Sequence, residues 1–178
     1  MCIRDRYNLP SGLAINAPAK AAFERALDKW RCATGVHFTM SDSSTNEEAE
    51  KDDISSILFQ AELPTGVVAT TTSRFKASGS TSCDLMNTTW YLREFDMQFA
   101  HPDNMIPGLS WSYESSPASP TEFDFETIAL HELGHAHALG HINDPNSSMY
   151  YAIENGVTKR ELSSQDIGAG LYLSLIHI

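Results

Sequence analysis

The stretch His131-Glu132-Leu133-Gly134-His135 constrains this chain more than any other feature. It lies within an apolar stripe at helical spacing, Phe125, Ile128, Ala129, Leu133 and Ala136, and so reads as part of one amphipathic helix. A helix turns about 100° per residue, which sets two imidazoles four residues apart about 40° from each other on one face. Both rings can therefore reach a single ion. Glu132 falls about 60° from His135, so its carboxylate can approach a water on that ion without itself binding the metal. Ligands and base come from two turns of one rigid element.

A catalytic zinc takes three protein ligands and keeps a fourth position open, so a third ligand must come from the chain beyond the helix. His137 is six residues beyond His131, about 240° round the helix and facing away, and reads as a structural or surface histidine. His141 is ten residues beyond His131 and comes directly after Gly140. A helix can break at such a glycine and let the chain swing a ring back to the metal, which makes His141 the expected third ligand.

This run resembles the metzincin signature H-E-x-x-H-x-x-G-x-x-H with its methionine turn, which stands here as Ser147-Ser148-Met149-Tyr150-Tyr151. The similarity extends over most of residues 13–172 and is nearest to matrixin-like enzymes of bacterial type. Phe23-Glu24-Arg25-Ala26-Leu27-Asp28-Lys29-Trp30 resembles their first helix, Asp53-Ile54 the start of an inner strand, and Leu162-Ser163-Ser164-Gln165-Asp166-Ile167 their final helix.

The resemblance implies an α/β (α+β) metzincin or zincin-like catalytic domain. Its parts would be a twisted mixed sheet of about four to five strands with an antiparallel edge strand, two long helices and a short C-terminal helix. It also implies one catalytic Zn2+ on His131, His135 and His141, with Met149 as an apolar floor beneath it. Zinc would lower the pKa of its water to about 7 while Glu132 takes the proton and passes it to the leaving amine. The substrate is then a protein or peptide, laid antiparallel to an edge strand for which the segment from Val67 to Phe75 stands. Val67, Val68, Ala69 and Thr70 are its expected contacts, with a selectivity pocket walled by Tyr151 to Val157. Tyr151 stands where astacin-like and serralysin-like members carry a tyrosine that binds the metal or steadies the transition state; matrixins usually have proline there. Ca2+ is a cation that the sequence neither requires nor shows.

One position departs from the pattern. Ala138 stands where the family has the glycine that lets the helix turn, and alanine is disfavoured in a left-handed conformation. Either Gly140 makes the turn one step later, or the third ligand comes from elsewhere, such as Asp144. Two rival readings stay open: a secreted zinc-binding module without turnover, and a thermolysin-like (gluzincin) peptidase with Glu154 or Glu161 as third ligand.

Elsewhere the pattern is that of a mixed domain. Asn16 can cap a helix from about Ala17 to Ala33, in which Phe23, Leu27 and Trp30 recur at helical spacing and which Gly35 ends. Val36 to Met40, Ile54 to Phe59 and Val67 to Phe75 read as strands, separated by an acidic surface loop from Ser41 to Asp53 and a turn at Pro64 and Gly66. Phe95, Met97 and Phe99 alternate with Asp96 and Gln98, as in a strand with one buried face. Ser119-Pro120-Thr121-Glu122 or Asp124 can start the metal-binding helix, and Ser163 a last short one. Little precedes Ala17, so the family's first strand is expected to be missing.

The balance of 12 basic against 23 acidic side chains gives a formal charge of -11, which repels nucleic acid and anionic membranes alike. No apolar run approaches the roughly 20 residues that span a bilayer. A chain of 178 residues fits one domain, expected to act as a monomer.

The two ends read differently from the rest. Met1-Cys2-Ile3-Arg4-Asp5-Arg6 back-translates as ATG TGT ATA AGA GAC AG, and Leu173-Ser174-Leu175-Ile176-His177-Ile178 as CTG TCT CTT ATA CAC ATC. These strings are reverse complements over most of their length and resemble a transposon end used in sequencing. We read 1–6 and 173–178 as translated adapter, 7–172 as the catalytic domain truncated at both ends, and an extracellular location with the signal peptide lost. Cys32 and Cys83 then remain, compatible with one disulfide or with two buried thiols.

Overall fold

The computed structural model describes residues 7–10, 16–36, 38–41, 51–60, 62–78 and 89–176. Strands β1 (Tyr7–Pro10) and β2 (Phe38–Ser41) flank helix α1 (Ala17–Thr34) and pair in parallel. β3 (Ser56–Gln60), β4 (Ala69–Ser78) and β5 (Thr89–Ala100) form a mixed sheet in the order β3-β5-β4. Short strands β6 (Ser110–Ser112) and β7 (Glu122–Asp124) lead into α2 (Phe125–Ala136), and α3 (Ser164–Ile176) comes after a long irregular stretch. The expected mixed α/β fold with an antiparallel edge strand is present: β4 runs antiparallel to β5 at the edge, while β3 runs parallel to it.

Local chemistry explains the two helices that build the core. Asn16 accepts the N–H of Ala19 at 3.1 Å, Pro18 suits the first turn, and Gly35, at φ 74°, donates its N–H to Arg31 and ends α1. The stripe Ala19, Phe23, Ala26 and Trp30 is fully buried, and the Trp30 indole donates to the Leu130 carbonyl of α2 at 2.8 Å. Phe95, Met97 and Phe99 of β5 face the same core and are fully buried. Each such side chain contributes about 1.5–3 kcal/mol through its removal from water.

Several expectations change. A strand does precede α1, because Tyr7–Pro10 finds the open edge of β2. β5 begins six residues before Phe95 and is buried on both faces, not one: Glu94 and Asp96 are each only 1 % exposed. Arg74 bonds both carboxylates, the Asp53 N–H donates to Glu94, and Ser56 donates to Asp96 through its hydroxyl at 2.6 Å. Internal pairing is what makes this second buried face tolerable. Among the described residues the pairings fall into one ladder of three strands and two of two. α3 continues to Ile176, into the stretch 173–178 read as adapter. Asp124, not Ser119, caps α2, accepting from Thr127 N–H at 2.7 Å. The acidic loop lies largely outside the described residues; Lys51 to Asp53 are exposed. Cys32 is an exposed free thiol, and Cys83 lies outside the described residues. Among the described residues no helix is long and apolar enough to cross a membrane.

Candidate metal centre

Helix α2 carries His131 buried, His135 half-buried and Glu132 buried, and the chain beyond it returns His141 to the same point at the surface. His135 Nε2 lies 3.1 Å from His131 Nε2 and 3.2 Å from His141 Nε2. Among the described residues, these three histidines alone form a group able to hold a metal.

Tautomers decide what the cluster is for. His131 Nδ1 sits 2.7 Å from the Ser148 carbonyl and His135 Nδ1 2.8 Å from the Leu139 carbonyl. A carbonyl only accepts, so each Nδ1 carries a proton and each neutral ring presents a bare lone pair at Nε2. Two such lone pairs at 3.1 Å cannot hydrogen-bond to each other; they repel unless a cation lies between them. Tetrahedral zinc with N–Zn bonds of about 2.0–2.1 Å spaces its nitrogens about 3.3 Å apart, close to what is found. Three imidazoles with one side open to solvent are the donor set of a catalytic zinc, and the residues fit the ion.

Electrostatics point the same way. Burial lowers the His131 pKa to about 4, against the hydrogen bond to Ser148, and lowers that of His141 as well, with His135 adding repulsion. Burial also pushes the Glu132 carboxyl up to about 7, while the Thr71 hydroxyl, 2.6 Å from Oε2, pulls it down. A divalent cation beside it favours the ionised form further. With a cation at the histidines Glu132 is thus a carboxylate free to accept a proton.

The turn that delivers His141 is made at Ala138, not at Gly140. Ala138 has φ 63°, whereas Gly140 is not among the positive-φ residues. The His137 and Ala138 amides, donating back to Leu133 and His135, close the helix. Ile142 N–H then donates to the Met149 carbonyl at 2.8 Å, tying the His141 segment to the methionine turn. Met149 is fully buried against Gly134, where a Cβ would meet its Sδ at 2.1 Å. A glycine in the last turn of α2 is what lets the thioether pack under the metal-binding turns. Asp166 of α3 fixes that methionine turn: its carboxylate accepts from the Ser147 hydroxyl, the Ser148 N–H at 2.9 Å and the Ser163 N–H at 2.7 Å. Burial works against this charge, but the hydrogen bonds prevail and hold its pKa below the usual value.

Residues 10–172 match the matrixin family of peptidases. The chain belongs to the matrixin family. It is 27% identical over 160 residues to Metalloendoproteinase 2-MMP of Arabidopsis thaliana, a match covering 89% of this chain and 38% of that protein. It is also 28% identical over 152 residues to Metalloendoproteinase 5-MMP of the same plant, covering 83% and 37% respectively. The matrixin chain therefore spans well under half the length of these relatives.

The other candidates of this matrixin take other places. Asp144 accepts from the Asn146 N–H at 2.9 Å in a tight turn, and Glu161, 83 % exposed, pairs with Lys29 of α1. Neither joins the metal group, nor does Glu154. His137 turns away and stacks on Trp30 at 4.8 Å, with Nδ1 donating to Leu133. Tyr151 is exposed with its ring on Tyr150 at 4.5 Å. Val67 donates its N–H to Pro64, and the Val68 carbonyl accepts from Ala100 at 2.8 Å, so both backbones are engaged at the mouth of β4.

Ala138 gives a direct test of the turn. A left-handed alanine costs about 1–2 kcal/mol, partly offset by the lower chain entropy of alanine in the unfolded state. Ala138→Gly is expected to stabilise the domain by about 1 kcal/mol in urea unfolding while keeping the histidine cluster. Loss of stability would mean that the turn lies elsewhere.

Proposed function

We propose that this chain is the catalytic domain of a secreted, monomeric zinc-dependent endopeptidase acting on proteins or peptides. The observation that carries the reading is the convergence of three imidazole nitrogens, those of His131 and His135 bared by their Nδ1 hydrogen bonds, beside the buried carboxylate of Glu132. When bound by His131, His135 and His141, zinc supplies a Lewis acid and makes a water acidic enough to ionise near neutral pH.

The chain's own residues supply the rest. Glu132 accepts the attacking water's proton at a carboxylate oxygen and returns it to the leaving amine. Ser148 and Leu139 fix the imidazole tautomers, and Met149 keeps the buried side of the rings dry. β4 offers an edge to an extended peptide. Since Val68 bonds to Ala100, the antiparallel alternation turns the backbones of Val68, Thr70 and Thr72 towards β5 and those of Ala69, Thr71 and Ser73 towards the free edge. Substrate bonding accordingly falls first to Ala69 and Thr71, with Val67 exposed beside them. Tyr151 to Val157 wall the selectivity pocket; no metal role is assigned to Tyr151 and no calcium site is assigned.

The ligand set separates this reading from its rivals. His141→Ala is expected to weaken zinc binding by more than the roughly 10–100-fold typical of losing an outer-shell partner, and to abolish cleavage, with Glu161→Ala changing neither. Metal content after dialysis and casein hydrolysis measure both. The reverse pattern would indicate the thermolysin-like arrangement.

A further inference from the structure

Strand β4 does more than offer an edge. Its side chains at alternate positions reach α2: the Thr71 hydroxyl lies 2.6 Å from Glu132 Oε2 and 3.2 Å from the Glu132 carbonyl, and the Ser73 hydroxyl donates to the His135 carbonyl at 3.1 Å. Glu132 is buried on the helix, and among the described residues Thr71 is its side-chain hydrogen-bonding partner. A glutamate has three side-chain torsions to fix, and a base must hold its oxygen within a few tenths of an ångström of the proton it takes.

We propose that Thr71 is the positioning residue for Glu132, orienting the carboxylate through Oε2 and leaving the other oxygen for the attacking water. This rests on the peptidase reading above. One proton on the hydroxyl serves two acceptors. Oε2, at 2.6 Å, is the nearer acceptor and the Glu132 carbonyl, at 3.2 Å, the farther, which gives the carboxylate one resting geometry. The same residue turns its backbone to the free edge of β4, so the strand that receives the peptide also carries the hydroxyl that aims the base. Substrate register and base position are thereby set by a single residue.

The test uses the zinc-loaded full chain with Thr71→Val and Thr71→Ser. Thr71→Val keeps shape and backbone, and is expected to lower kcat roughly 10- to 100-fold with KM changed less than about twofold, because backbone pairing is untouched. Thr71→Ser restores most of kcat. A merely structural tie between strand and helix would not give that split or that rescue. A second readout does not depend on turnover: side-chain NMR couplings of Glu132 report one rotamer in the wild type and in Thr71→Ser, and averaged rotamers in Thr71→Val. If Glu132 stays fixed in Thr71→Val, or if kcat is unchanged or not rescued by serine, the proposal falls. If the wild type does not cleave but the rotamer pattern is as expected, the positioning stands and the peptidase reading fails.

Discussion

Arg160→Ala is expected to cost about 3–5 kcal/mol of folding stability, enough to bring a domain of ordinary stability close to unfolding. Asp124 is fully buried and Glu126 nearly so, and both sit at the start of α2. Arg160 bonds Asp124 through Nε at 3.1 Å to both oxygens, reaches towards Glu126, and donates to the carbonyls of Glu114, Ser115 and Ser116. Hydrogen bonding to Asp124 also holds the guanidinium more firmly protonated than usual. Arg25, the partner of Glu126 at 2.6 Å, cannot take over Asp124 as well. Removing Arg160 therefore strands a buried carboxylate that is also the cap of the metal-binding helix. Urea unfolding at neutral pH and fixed zinc should show a lower midpoint with an unchanged slope. The exposed pair of Lys29 and Glu161 is the contrast: Lys29→Ala is worth less than about 1 kcal/mol. A loss that small for Arg160→Ala would mean that the ion pair does not hold α2 in place.

The site was legible in the sequence where chemistry and local spacing coincide. His131, Glu132 and His135 could be named because side-chain positions on a helix are set by residue number, and His141 because it fills the last place of the resembled signature; the cap of α1 and its stop at Gly35 are set by local torsions. Long-range partners could not. Thr71 meets Glu132 across 61 residues, and the packing of α2 directly on β4 is what brings them together. Asp166 and Ser163 bond each other at the start of α3, a local pattern, but the same carboxylate also accepts from Ser147 and Ser148, a use that local pattern cannot reveal. Asp96 looked like part of the wet face of a strand, since nothing nearby in sequence said that Arg74 would cover it together with Glu94. The turn at Ala138 went the other way: propensity argued for Gly140, and the ties from Leu139 to His135 and from Ile142 to Met149 overrode it.

Glu132→Ala is expected to leave zinc binding intact and lower kcat about 10²–10⁴-fold, the usual worth of a positioned general base. The side chain is not one of the three ligands, and its removal leaves the three rings and the fixed tautomers of His131 and His135 in place. Only the proton transfer is lost, about 3–5 kcal/mol of transition-state stabilisation at these factors. Zinc content and casein hydrolysis should therefore be measured side by side for the wild type and Glu132→Ala. One equivalent of zinc in both, with cleavage lost only in the variant, is the expected result. Zinc in both without cleavage by the wild type, or equal cleavage by the two, would contradict the assignment of Glu132 as the base of a zinc peptidase.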